Sequence, residues 1–314
     1  MGKIIMTGVD GNFGGAAARS ILKKVPKEQL IFTTPNKDFI KMYSDQGIET
    51  RHADVFDKAT LIKAFEGGEV LLLISMPFVG ERRRVAHKNA IDAAVEAGVK
   101  KIVYTSIVGA GEEDCDTYEV SDHKITEAYL KELDIDWVIL RDSQYVEAMV
   151  SVFEESVAGN GVMANNMADG HMAYISRNDC AEAAACAAAG AGENNTIYDI
   201  SGPEAITISE FCQIGSQITG KTVTYQELTD DEMYAFFDSI GVPRNTEGEW
   251  AETAKNFPFC SDGMVTFGRA IRLEQMNACS NDVELLTGRK PLSVRQVFED
   301  LENHRIGSRT STED

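Results

Sequence analysis

Residues 3–21 read KIIMTGVDGNFGGAAARSI. A short apolar run, Lys3–Thr7, stops at Gly8, and a helical pattern follows from about Gly14 to Lys24. Between them lies Gly8-Val9-Asp10-Gly11-Asn12-Phe13-Gly14-Gly15, a G-x-x-G-x-x-G spacing. In such a turn Gly8 permits the sharp change of direction, Gly11 lets the backbone approach a pyrophosphate, and Gly14 lets the helix lie close to the strand. The helix then aims its free N–H groups and the positive end of its dipole at the same place. A glycine triplet alone is a weak signal. Placed between a strand and a helix at the head of a βαβ series, it implies a dinucleotide site. Its candidate residues are Gly8, Asp10, Gly11, Asn12, Phe13 and Gly14; the plainer alternative is a structural glycine turn.

The segments that follow keep alternating. Strands are expected at Leu30–Thr34, Ile48–His52, Val70–Ser75, Lys101–Ser106 and Asp136–Arg141, and helices at Arg82–Ala97, closed by Gly98, and at Ser121–Leu133. The run VLLLIS at 70–75 suits a strand covered on both faces. Repeated β-α units imply parallel strands joined by right-handed crossovers. Beyond residue 150 the pattern loosens. An Ala-rich helix is expected at Asp179–Ala191, a strand at Thr196–Ile200, a helix at Ser209–Thr219 and a short strand at Thr222–Glu227. The expectation is an α/β fold: a doubly wound parallel Rossmann sheet with a smaller mixed α/β substrate-binding lid. The dinucleotide-binding domain takes residues 1–150, with 173–203 returning to the sheet. The lid takes 151–172 and 204–302, and 303–314 form a frayed tail.

Composition narrows the partners. Thirty Lys and Arg stand against 50 Asp and Glu, a formal charge of −20. Such a surface repels phosphate backbones and anionic lipid, so neither nucleic acid nor membrane is an expected partner. No run of 18 apolar residues is present, and the first residues lack a leader pattern. The six cysteines form no C-x-x-C pair and no zinc-ligand spacing with histidine. They read as reduced thiols of a cytoplasmic protein without a metal site. The charge neither requires nor forbids a homodimer.

The rest of the cofactor site follows from the strand ends. An acid closing the second strand would favour the ribose diol of NAD(H). Here the strand closes with Thr34-Pro35-Asn36-Lys37. Thr34, Asn36 and Lys37 could hold a 2′-phosphate, which favours NADP(H) and leaves NAD(H) open. Asp54 and Val55, after the third strand, are candidates for the adenine. Ser75, Met76 and Pro77, after the fourth, and Ser106, ending the fifth, are candidates for the nicotinamide end. Plain turn chemistry is the alternative for each.

Together these segments resemble the NmrA-like branch of atypical short-chain dehydrogenases, and within it the bacterial quinone oxidoreductase and triphenylmethane reductase group. Beside the glycine turn, the resemblance rests on Ala97-Gly98-Val99-Lys100 and His123-x-x-Thr126-Glu127. It continues with Leu140-Arg141-Asp142-x-x-Tyr145, Ser176-Arg177-Asn178-Asp179, Ile197-Tyr198-Asp199-Ile200-Ser201-Gly202-Pro203 and Leu286-Thr287-Gly288-Arg289-Lys290-Pro291. It covers about residues 3–302 and implies NAD(P)H-dependent reduction of a small aromatic substrate. Two departures stand out. Pro35 occupies the place of the family's usual Arg, which grips the adenosine 2′-phosphate. Asp142 replaces the family's Asn beside the nicotinamide pocket.

Ordinary short-chain dehydrogenases place Tyr and Lys four apart on one helix face, where the Lys lowers the Tyr pKa and the Tyr protonates the nascent alkoxide. None of the nine tyrosines here has Lys at +4; Tyr118, nearest the expected place, has Asp122. Without that acid a ketone is a poor substrate. A quinone remains accessible, since its reduced form is a phenol of pKa about 10, as does a conjugated or cationic aromatic. Catalysis is then mostly positioning. His123, a turn before Glu127, is the best polar candidate, to orient a substrate or supply a proton near neutral pH. Tyr145 and Ser106 complete the catalytic candidates; a structural role is the alternative for each. Met149, Met163, Met167 and Met172 suit an adaptable apolar site or simply a core. Two other functions stay open: a non-catalytic dinucleotide-sensing regulator of the NmrA type, and a sugar-nucleotide epimerase or dehydratase, which would need the missing Tyr/Lys pair.

Overall fold

The computed structural model describes residues 2–246 and 259–304. Its centre is a seven-stranded, all-parallel sheet. Six strands are β1 (Lys3–Met6), β2 (Leu30–Thr34), β3 (Glu49–His52), β4 (Gly68–Leu73), β5 (Lys101–Ile107) and β6 (Asp136–Asp142). The seventh is Thr196–Ile200, and the spatial order is β3-β2-β1-β4-β5-β6-seventh. The chain builds outward from β1 and then returns to β1's other side with β4. That reversal opens a crevice at the carboxyl ends of β1 and β4, where sheets of this kind take ligands. The doubly wound parallel sheet expected from the sequence is therefore present.

Both faces of the sheet are sealed, which is why its strands are continuously apolar. On one face α1 (Asn12–Ile21), α2 (Lys37–Asp45) and the Ala-rich helix Arg177–Ala188 cover Ile4, Met6, Phe32, Leu72, Val103 and Leu140. On the other α3 (Lys58–Phe65), α4 (Glu81–Glu96) and α5 (Tyr118–Lys131) cover Ile5, Leu71, Leu73, Ile102, Tyr104 and Ile139. Gly98, at φ +82°, ends α4 in the left-handed conformation expected of a helix-closing glycine.

A second core lies over the carboxyl edge. The sequence reading left Val146–Ala158 without an element; it is a helix, α6, whose Val146, Met149, Val150 and Phe153 follow helical spacing inward. They pack with Tyr174, Phe211 and Phe298. Met149, Met163, Met167 and Met172 are all buried there, so they are core residues. Val108, just past β5, and Val120, in the first turn of α5, join the same cluster and tie it to the sheet. The tail begins later than 303: Leu301–His304 is a helical turn and His304 is buried against Ser176 and Glu147. Residues 305–314 lie outside the described residues, as does 247–258 of the expected lid. No helix among the described residues is long and apolar enough to cross a membrane.

Candidate functional site

The glycine turn has the geometry its spacing requires. Gly8 has φ +61°, a conformation that costs an L-residue strain. A Cβ on Gly14 would overlap the Gly8 carbonyl oxygen, so only glycine lets α1 start this close to β1. The helix starts at Asn12, two residues before the sequence suggested, with Gly11 as its N-cap. Gly11 offers no capping side chain and the first turn holds no acid, so the leading N–H groups await an anion from elsewhere. Asp10 is buried with one carboxylate oxygen, Oδ2, lacking a partner among the described residues. Phe13 turns its ring toward Tyr145, centroids 6.4 Å apart. These residues fit a dinucleotide's pyrophosphate and ribose.

At the adenosine end several candidates already serve the backbone. Thr34 Oγ1 accepts the Asn36 N–H at 3.0 Å, and Asn36 Oδ1 accepts the Asp38 N–H at 3.0 Å, capping α2. Lys37 is exposed at the start of that helix. Arg19, not singled out from the sequence, sits one turn beyond Gly15 on α1, and a Cβ on Gly15 would lie 3.6 Å from its Nη1. A cation one helical turn after the last glycine of the run was the available signal. Asp54 Oδ1 accepts the Phe56 N–H at 2.9 Å, and the Val55 carbonyl accepts from Asn89 Nδ2 at 3.0 Å. Both hold the turn after β3 in shape. Pro77 is exposed, and the Ser75 N–H donates to Thr105 Oγ1 at 2.8 Å.

Toward β5 and β6 the structure divides the catalytic candidates. Ser106 donates its hydroxyl to Glu127 Oε1 at 2.7 Å. Glu127 also takes two hydrogen bonds from Arg141, at 2.9 and 2.7 Å, and one from Lys131 at 3.0 Å. Burial works to raise the Glu127 pKa, but Arg141, Ser106 and Lys131 outweigh it and hold the carboxylate ionised. The Ser106 hydroxyl thus spends its proton on an internal ion-pair network and keeps only its lone pairs to accept from a ligand. Tyr145 donates to Asp142 Oδ2 at 3.1 Å and the Cys180 thiol also lies against the carboxyl, while Asp142 Oδ1 is buried without an N–H or O–H donor among the described residues. Burial pushes the Asp142 carboxyl up to about 7. Burial, with Asp142 beside it, also raises the Tyr145 phenol well above its ordinary value.

His123 and Glu127 share a face of α5 by spacing but turn to different partners. His123 Nδ1 meets Tyr104 OH at 2.7 Å. His87 on α4, missed in the sequence, completes the group. Its Nδ1 lies 3.0 Å from Thr126 Oγ1 and 3.3 Å from Tyr104 OH. Its signal was one turn away: Arg83, Ala86, His87 and Ala90 form one buried stripe of α4. Burial, with Arg83 nearby, drives His87 down to about 3 and His123 well below 6.5. His123 is therefore neutral near pH 7, which overturns its expected role as a source of a proton there. Asp122, in the place of the dehydrogenase Lys, is fully buried; it accepts the Gly80 N–H at 2.6 Å and pairs with Arg84 at 2.6 Å.

A parallel sheet with its reversal at β1 and β4, and an uncapped glycine turn at that reversal, defines a Rossmann-type dinucleotide-binding α/β protein. Comparison with known proteins makes the class specific. The NmrA-like family model matches residues 1–262, and the chain belongs to that family. Quinone oxidoreductase 2 of Escherichia coli is 35% identical over 241 residues, 76% of this chain and 82% of that protein. The crystal structure of an NADPH-dependent quinone oxidoreductase from E. coli, complexed with NADPH, superposes with a TM-score of 0.84 at 29% identity. It covers 96% of this chain and 100% of that one. Triphenylmethane reductase from Citrobacter sp. gives 0.81 at 29% identity, over 95% and 98% of the two chains.

Proposed function

We propose that this chain is an NAD(P)H-dependent reductase that delivers hydride to a quinone or another conjugated aromatic acceptor, without a Tyr-x-x-x-Lys acid. The observation that carries the reading is the pairing of an uncapped glycine turn with the loss of that acid. Asp122, where the Lys would stand, is locked to Gly80 and Arg84 and cannot tune a phenol. The two relatives above, one named a quinone oxidoreductase and the other a triphenylmethane reductase, support the same class. Gly8, Gly11, Asn12, Phe13 and Gly14 would hold the pyrophosphate. Asp10, Thr34, Asn36 and Lys37 would hold the adenosine ribose and its phosphate, and Asp54 and Val55 the adenine. Ser75, Met76 and Pro77 would border the nicotinamide. NADP(H) is preferred over NAD(H), and when bound it supplies the hydride. His123 and Tyr145 face the acceptor, and the protein's part is to orient it and exclude water.

Fluorescence titration with NADPH and NADH, then acceptor-dependent oxidation of the tighter one, tests the reading. Tight binding with turnover of a quinone is the expected result. Tight binding without turnover across a panel of quinones and aromatic dyes would replace it with a dinucleotide-sensing regulator. Binding of neither would refute it.

A further inference from the structure

We propose that His123 is a neutral hydrogen-bond donor to a carbonyl oxygen of the acceptor, its proton fixed on Nε2 by a directed chain from the Met76 backbone through His87 and Tyr104. This deepens the reductase reading and rests on it. The direction of the chain follows from which partners can only donate. The Met76 N–H is a donor without alternative, and it lands on His87 Nε2 at 3.1 Å. A ring nitrogen that accepts carries no proton, so the single proton of neutral His87 is on Nδ1. Thr126 sends its own hydroxyl proton to the Asp122 carbonyl at 2.9 Å, so it accepts from His87. Tyr104 likewise faces the protonated side of His87 and cannot donate there. Its proton goes to the shorter contact, His123 Nδ1 at 2.7 Å. His123 Nδ1 therefore holds the lone pair, and the ring's proton sits on Nε2, on the side away from Tyr104. Nε2 has no hydrogen-bond partner among the described residues.

The surroundings keep the ring uncharged. The buried Arg83 guanidinium lies near both imidazoles, and its Nη1 is 3.8 Å from Asp122 Oδ2. Asp122 is shared between Arg83 and Arg84, and Glu127 faces Ser106, Lys131 and Arg141. Arg83 and His87 both disfavour an imidazolium at His123, and the carboxyl of Glu119, one turn earlier on α5, is buried, raised by that burial, and has Oε2 without a partner among the described residues. A neutral imidazole N–H is too weak an acid to give up its proton in turnover. It is a good preorganised donor to an oxygen that gains negative charge. When hydride reaches a conjugated carbonyl acceptor, the electron pair moves to the oxygen, Nε2–H steadies that oxyanion, and the phenolate takes its proton from the bulk solvent after release, where its conjugate acid has a pKa of about 10. A cationic triarylmethane dye becomes neutral on taking hydride and develops no oxyanion. The same donor does nothing for it.

Two measurements on the full chain decide this. Long-range proton–nitrogen NMR of the ¹⁵N-labelled protein at pH 7.5, with peaks assigned through His123→Gln and His87→Gln, reads the tautomers directly. The expected spectrum has His87 protonated on Nδ1 and His123 on Nε2. In Tyr104→Phe, His123 should spread over both tautomers. An Nδ1-protonated or doubly protonated His123 in the parent protein would overturn the chain. In kinetics, His123→Phe should lower kcat for a quinone roughly 100-fold. His123→Gln, which keeps an N–H donor, should restore part of it, and KM for the dinucleotide should not move. Turnover of a cationic triarylmethane dye should survive both changes. An equal fall with dye and quinone would make His123 merely structural and overturn the donor role. If the parent protein reduces neither acceptor, the reductase reading falls and takes the donor role with it, whatever the tautomers.

Discussion

Replacing Asp142 with Asn should stabilise the protein, and by an amount that depends on pH in a calculable way. Asp142 is 4% exposed, pairs with no cation among the described residues, and its carboxyl takes hydrogen bonds from the Tyr145 hydroxyl and the Cys180 thiol. The Arg177 guanidinium lies over the Tyr145 ring, 5.9 Å from its centroid, not on the carboxyl. Burial raises the folded-state pKa from 3.8 to about 7. For an acid shifted upward, the folded state binds the proton more tightly than the unfolded one. Stability is then full below about pH 4, falls as pH rises toward 7, and levels off above. At about 1.36 kcal/mol per pH unit the total loss is about 4 kcal/mol. About 1.7 kcal/mol of it has already gone at pH 5. The Asn amide keeps the acceptor for Tyr145 and does not titrate. The advantage of Asp142→Asn over the parent should therefore grow by roughly 2–3 kcal/mol between pH 5 and pH 8. Comparing variant and parent at each pH cancels the other shifted groups, such as Glu119, raised by burial, and Asp230, held down at about 2. Urea titrations at the two pH values supply the numbers. A pH-independent difference would refute the argument, and an advantage that shrinks with pH would mean the carboxylate has a cationic partner.

Other perturbations follow from the same geometry. Gly14→Ala forces a methyl into the Gly8 carbonyl; about 1–3 kcal/mol of stability should go, read by thermal melting, and dinucleotide binding should weaken beyond what that loss explains. Glu127→Gln leaves Arg141 and Lys131 without their buried counter-charge and should cost about 3 kcal/mol at pH 7. Because the Glu127 pKa is held low, that penalty should shrink as the pH falls into the acid range where the parent loses the same charge. Pro35→Arg restores a guanidinium at the end of β2 and should tighten NADPH about tenfold, with NADH unchanged. Equal changes in both affinities would place the 2′-phosphate elsewhere, with Lys37 and Arg19 the next residues to replace.

The alternation of strand and helix made the sheet legible, because a buried parallel strand announces itself by local composition. Leu30–Thr34 and Thr196–Ile200 were bounded to the residue. Boundaries slipped where capping decides them: α5 begins at Tyr118 because Thr117 caps it, three residues before the apolar pattern becomes visible. The glycine turn was legible because its reasons are local. The partners of Ser106 and His123 were not, since each is chosen by residues distant in sequence. Ser106 meets Glu127 21 residues on, and His87 meets Thr126 39 residues on. A histidine four residues from a glutamate looks like a charged pair until tertiary packing turns the two apart.

That packing also gives the site a common character. His87 and His123 are pushed down, and Asp142, Tyr104 and Tyr145 pushed up, and in every case burial is the leading cause. Near pH 7 the imidazoles and phenols are uncharged, and Asp142 alone sits near its midpoint. A short-chain dehydrogenase that reduces ketones needs the opposite, a phenol drawn down by an adjacent ammonium. Neutral imidazoles and phenols suit acceptors whose reduced form is stable without an enzyme-supplied proton. On the proposed reading, restoring a Tyr/Lys pair by Asp122→Lys should therefore fail to create ketone reduction. The new ammonium would be buried beside Arg83 and Arg84, with the Gly80 N–H facing it where a carboxylate now accepts. The expected result is a destabilised protein with no ketone activity, and measurable ketone turnover would show that burial does not set the chemistry here.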